Sequence, residues 1–178
     1  MKVLRAALLC VVCMVLLVPA VSASTLGSKS NELAFDLSYV DTKDLSKDTT
    51  LTGHWGWIFG KGYSELGALV QYQKVDFGPS GGSSATASLL GPEYTFNFMP
   101  DSKAATLFVS VAIGTVGGDL NDFFDTFSDV GVGVKLFAGD SAAIRVRLFA
   151  EKLKGKDNFD DQDSSGLEAG VSFFFGRK

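Results

Sequence analysis

The sequence predicts an all-β chain, an eight-stranded antiparallel up-and-down transmembrane β-barrel. Three observations predict it. Apolar and polar residues alternate with period two through eight separate segments. Clusters of Gly, Asp, Ser and Pro punctuate those segments. Beyond the first residues, nothing approaches the roughly 18 consecutive apolar residues of a membrane-spanning helix, yet the chain holds 20 Gly and 15 Phe. A barrel reconciles these facts, because its membrane signal is alternation and not a run.

The chain opens on an export signal. Lys2 and Arg5 form a positive start, residues 6–18 are apolar, and Pro19 ends the run. Val21, Ser22 and Ala23 supply small residues at the cleavage positions. This is the layout of a secretory signal peptide cut after Ala23. Residues 1–23 then leave, and residues 24–178 form the barrel domain. Cys10 and Cys13 leave with the signal, too early in it for a lipoprotein attachment point. The remaining chain has no cysteine, which excludes disulfides, thiolate catalysis and Cys-ligated zinc. It keeps 14 of the 16 basic residues against 20 acidic ones, a net charge of −6. Such a surface argues against nucleic acid, whose phosphates require clustered Lys and Arg.

The eight segments are residues 32–40, 49–59, 63–75, 84–98, 104–116, 129–138, 142–153 and 166–175. In the first, Leu33, Phe35, Leu37 and Tyr39 oppose Ala34, Asp36 and Ser38. In the second, Leu51, Trp55, Trp57 and Phe59 oppose Thr52, His54 and Gly56. Leu66, Ala68, Val70 and Tyr72 oppose Glu65, Gly67, Gln71 and Gln73 in the third. The fourth sets Leu90, Tyr94, Phe96 and Phe98 against Gly91, Glu93 and Asn97, and its Pro92, which cannot donate to a ladder, predicts a β-bulge at Gly91-Pro92. The fifth sets Leu107, Val109, Val111 and Ile113 against Ser110, Ala112 and Gly114. In the sixth, Val130, Val132, Val134 and Leu136 oppose Gly131, Gly133 and Lys135. The seventh sets Ile144, Val146, Leu148 and Ala150 against Arg145, Arg147 and Glu151. The eighth sets Leu167, Ala169, Val171, Phe173 and Phe175 against Glu168, Gly170 and Ser172.

Connections at 60–62, 99–103 and 139–141 read as short. Those at 41–48, 76–83, 117–128 and 154–165 read as longer and polar. Short periplasmic turns alternating with long outer loops is the outer-membrane pattern, and an even strand count puts both termini on the periplasmic side. Alternation alone does not say which face is outside, since a soluble lipocalin-like barrel points its apolar face inward. Here one face carries the charges and many glycines, and a narrow eight-stranded lumen suits those better than two Trp and many Phe. The descending strands two, four and eight end on Phe59, Phe98 and Phe175, Tyr63 opens strand three at that level, and Tyr39 and Tyr72 mark the other rim. Aromatic residues at the membrane interfaces have this placement.

The candidate site is a structural charge cluster in the lumen: Asp36, Glu65, Glu93, Lys135, Arg145, Arg147, Glu151 and Glu168. Buried charges must pair, so a salt-bridged plug is expected in preference to a pore. Lys135 falls opposite Arg145. Glu65 and Glu93 are expected to pair with Lys135 and Arg145, and Asp36 and Glu168 to join Arg147 across the closing seam. No catalytic, cofactor or metal residues are expected. His54, the sole histidine, has Thr52 and Gly56 two positions away and no hydroxyl nucleophile facing lipid. The acidic run at 157–163 lacks the ligand order of an EF-hand, and the glycines at 78–82 lack a GxxxxGK pattern.

The export signal, the eight alternating segments and the terminal strand at 166–175 (GLEAGVSFFF) together resemble the OmpA/OmpX-type small outer-membrane β-barrel proteins. The resemblance covers the whole exported chain, with Gly176, Arg177 and Lys178 added after the last Phe. It implies recognition by the barrel-assembly machinery, contact with outer-membrane lipid and lipopolysaccharide, and a monomer in a Gram-negative outer membrane. No peptidoglycan-binding domain is expected after strand eight. The expected role is non-enzymatic, in envelope integrity or surface interaction through four outer loops. The rivals are a lipid A-modifying barrel enzyme and a small-solute channel; the loop ligand stays open.

Overall fold

A computed structural model of the chain describes residues 25–26, 29–42, 46–77, 83–157 and 159–176. The export signal and its cut lie outside the described residues, as do the glycines at 78–82 and the side chain of Tyr39. The rest is nearly all strand: β1 (Asn31–Thr42), β2 (Ser46–Phe59), β3 (Ser64–Phe77), β4 (Ser83–Asn97), β5 (Ala105–Gly118), β6 (Phe124–Phe137), β7 (Ala142–Gly155) and β8 (Gln162–Phe175). Each strand pairs antiparallel with its sequence neighbours, and β8 closes on β1, giving an all-antiparallel eight-stranded barrel. Direct pairing that starts at Phe174 passes through Glu32, Gly56, Gly67, Glu93, Ala112, Asp129 and Glu151, and returns to β8 at Ser164. The return is ten positions from the start, so the strands are strongly tilted, as closure with stagger requires.

Two expectations are corrected. The register between β4 and β5 is the same on both sides of Pro92, and Pro92 itself sits opposite Ala68 of β3, so no bulge forms there. The ladder to β5 simply lacks the pairs at Gly91 and Pro92, as a missing donor dictates. The irregularity lies instead between Phe124 and Thr126, where β6 shifts against β7. The outer connections are not long loops either. Strand pairing continues up each ribbon and leaves tips at 43–45, 78–82, 119–123 and 156–161. Two of these tips dock on each other: Phe123 and Phe159 meet edge to face at 5.0 Å, and the Lys156 amide donates to the Phe123 carbonyl.

The barrel is apolar outside. Leu37, Trp55, Val70, Leu90, Ile113, Val130, Val132, Leu148 and Phe173 are all exposed, Ile113 to 64%. Aromatic rings gather at the terminal end, with Trp57–Phe59, Tyr63–Phe96 and Phe96–Phe98 centroids 5.4, 6.2 and 5.2 Å apart. The lumen is less uniformly polar than the sequence suggests. Leu26, Ile58, Phe137, Ala143 and Phe174 form one buried apolar cluster. Leu69, Leu89, Val116, Phe124, Phe127 and Leu153 belong to a second, toward the tips. Inward glycines make the room: a Cβ on Gly133 would meet the Phe108 ring at 2.6 Å, and one on Gly114 would meet Phe127 at 2.6 Å. Small residues on one strand are thus the seats of large ones on the next.

Candidate functional site

Between the two apolar clusters lies a charged layer. Among the described residues it holds seven buried carboxylates, Glu32, Asp36, Glu65, Glu93, Asp129, Glu151 and Glu168. Against them stand Lys135, Arg145, Arg147 and the single histidine, His54. All project from strands at inward positions, so period two alone aims them at one another.

Toward the terminal end, Lys135 of β6 donates to Glu32 of β1 and, at 2.6 Å, to Glu65 of β3. Asn97 donates to the same Glu65 oxygen at 2.7 Å, and Ser172 to Glu32 at 2.7 Å. Lys135 is wholly buried, and its ammonium and the Arg145 guanidinium lie 5.3 and 4.7 Å from the Phe108 ring centroid. Lys135 and Arg145 face each other across the ladder. Like charges so placed repel; Glu32, bound to Lys135 and 3.9 Å from Arg145, sits between them.

In the middle, Arg145 Nε lies 3.2 Å from Asp36 Oδ2, which is 3.1 Å from His54 Nε2. His54 Nδ1 meets Glu93 at 2.7 Å. Nearer the tips, Arg147 binds Asp129 and, at 2.8 Å, Glu168. Thr52 donates to the other Glu168 oxygen at 2.9 Å, and Gln71 to Glu151 at 3.0 Å. A Cβ on Gly131 would stand 2.0 Å from Arg147 Nε, so only glycine leaves space for that guanidinium.

The eight predicted lumen residues are thus all inward and buried, but their partners differ in part from expectation. Glu93 bonds His54 and not Lys135; Glu65 takes Lys135; Asp36 meets Arg145 and His54 and not Arg147. Glu168 does reach Arg147. Strand tilt is the reason: partners lie across the lumen at the same height, and height is set by the stagger of ten and not by position within a strand. Glu32 and Asp129 were missed as site residues. Each opens a predicted segment, and its parity with Asp36 and Gly131 was the available signal. His54, read as a lumen residue, is one: it is 4% exposed and faces away from the outer wall.

An enclosed void beside Glu32, His54, Glu65, Glu93 and Arg145 measures about 10 Å³, room for a single water. With apolar clusters above and below, the described lumen has the form of a plug.

No family model matches the chain, and no curated protein matches its sequence. Solved structures do. Neisserial surface protein A (NspA) is similar over 82% of this chain and 95% of its own, with a TM-score of 0.53 at 15% identity. A de novo designed transmembrane β-barrel is similar over 83% and 96%, with a TM-score of 0.50 at 10% identity. The N-terminal β-barrel domain of Pseudomonas aeruginosa OprF covers 83% of this chain and 98% of its own, with a TM-score of 0.48 at 11% identity. At these identities the likeness to the first two is one of fold, a small closed transmembrane barrel.

Proposed function

We propose that this chain is an exported, non-enzymatic β-barrel of a Gram-negative outer membrane, monomeric, acting in envelope integrity or surface interaction through its four outer ribbons. The observation that carries the reading is the inversion of polarity. A closed barrel with exposed Leu, Val, Ile and Phe around its wall and eleven buried ionisable residues within is stable only where the wall meets hydrocarbon. On β8 the outward apolar positions run from Phe175 to Leu167 before Ser165 and Asp163. Eight residues at about 3.3 Å each, tilted by about 40°, rise about 20 Å, close to the ~25 Å apolar band of such barrels. The buried position of His54 weighs against a lipid-facing enzyme, and the plugged lumen against a channel.

The protein should fractionate with outer membranes and run at different positions on a gel before and after boiling. Recovery from the soluble periplasm would overturn the reading. Discrete conductance steps in a planar bilayer would replace it with the channel.

A further inference from the structure

The charged layer is short of positive charge. Seven carboxylates face three fixed cations, so pairing leaves four negative charges in a space walled by apolar clusters. Uncompensated buried charge is very unfavourable. Lys135, Arg147 and Gln71 hold Glu32, Glu65, Asp129, Glu168 and Glu151 through hydrogen bonds. Asp36 is different: it is 1% exposed, its Oδ2 lies 3.2 Å from Arg145 Nε and 3.1 Å from His54 Nε2, and neither of its oxygens accepts a hydrogen bond in the described structure. His54 Nε2, 3.1 Å away, also lacks one.

The histidine makes the arrangement informative. Glu93 sits 2.7 Å from Nδ1. A carboxylate there fixes the proton on Nδ1 and turns the Nε2 lone pair toward Asp36. Lone pair and carboxylate oxygen would then repel, so a positive species belongs between them. Carboxylate on one ring nitrogen and metal on the other is the recurrent arrangement of metal-ligating histidines. A third donor is at hand: one ligand atom each from Asp36, His54 and Glu168 lie within 4.8 Å of one another, all three residues buried.

We propose that Asp36, His54 and Glu168 form a buried site for one zinc ion, with Glu93 positioning the imidazole. The expectation of no metal weighed thiolate zinc and an EF-hand calcium loop, and not a set of lumen carboxylates around the histidine. One nitrogen and two carboxylate oxygens suit zinc, at distances of about 2.0–2.2 Å. Such bonds set neighbouring donors roughly 3.3 Å apart; His54 and Asp36, at 3.1 Å, are already close to that spacing, and Glu168 closes in by giving up its bond from Thr52 while Arg147 keeps the other oxygen. Two positive charges halve the lumen's deficit. The apolar clusters at both ends mean that the ion enters while the barrel forms.

The test uses the full chain refolded in detergent with zinc chloride, then dialysed, with zinc counted by elemental analysis. The expected result is one ion per folded barrel, lost in His54→Gln and retained in Glu151→Gln, which alters a lumen carboxylate away from the site. Glu93→Gln should weaken zinc retention about 10–100-fold, the usual effect of removing such an orienting group. A folded wild-type barrel without zinc, or a His54→Gln barrel that keeps it, overturns the proposal. If His54→Gln does not fold, ¹⁵N spectra of the wild-type imidazole decide. One protonated and one metal-bound nitrogen supports the site; two protonated nitrogens place a proton in the gap and overturn it.

Discussion

Single residues carry the lumen's balance. Among the described residues Lys135 is the only cation hydrogen-bonded to Glu32 and Glu65, with Arg145 3.9 Å from Glu32. Lys135→Met should therefore strand two buried carboxylates and cost about 3–5 kcal/mol, read by denaturant unfolding in lipid. Adding Glu65→Gln should recover part of that loss, because the pair touches. Glu93→Gln with Lys135→Met should be additive, since Glu93 bonds His54 instead. Strong coupling in the second cycle and none in the first would reverse the assigned partners. Outside the membrane-facing wall, Thr86 donates its amide and its hydroxyl to Asp119, each at 2.9 Å. These bonds hold the Asp119 carboxyl below its ordinary value of 3.8. A lowered carboxylate stabilises the folded tip above that ordinary value and loses the effect as pH falls through the lowered one. The Thr86 amide resonance should thus titrate with a midpoint below 3.8, and a midpoint at or above it would show that the carboxylate is not held there.

At the scale of the strand, the two faces answer to different rules. Val132, 53% exposed at mid-strand, should tolerate Ala and reject Arg, which costs about 2–4 kcal/mol where a barrel wall meets the bilayer midplane; an unchanged unfolding curve for Val132→Arg would put that face elsewhere. Close strand approach sets the other rule. Gly67 pairs with Gly56, and a Cβ on it would lie 1.7 Å from the Trp55 carbonyl oxygen. Backbone cannot yield as a side chain does, so Gly67→Ala should cost about 1–3 kcal/mol, while Gly139→Ala, with nothing within 4 Å, should be silent. These strands also show what a sequence can disclose. Their terminal-side ends, such as Phe59, Asn97 and Phe175, lie within one residue of the expected boundaries. Their tip-side ends run on, β6 by five residues and β8 by four. Outward apolar alternation stops at the top of the wall, whereas backbone pairing continues with polar side chains on the outer face, and on β6 with Phe124 and Phe127 still turned inward. Alternation reports the wall, and the ribbons above it are invisible to it. In the lumen the same parity identified which residues face inward, but not which of them meet, because stagger around the barrel is not written in any one strand.

For the whole molecule, the bonds that cross the lumen matter more than their number. Lys135 on β6 reaches β1 and β3; Gln71 on β3 reaches β7; Arg145 on β7 reaches β1; Thr52 on β2 reaches β8. None of these joins adjacent strands, even counting around the ring through the seam where Asn31 to Leu37 meet Phe175 to Ala169. An open sheet holds the same residues but leaves these partners apart. Until β1 meets β8, each charge must keep its own water, and the sheet must stay hydrated on its inner side. Closure then expels that water in one step and engages all the crossing bonds together. Assembly of this barrel should accordingly be all-or-none, with its slow step a dewetting event and its last-formed contacts in the interior and not at the edges.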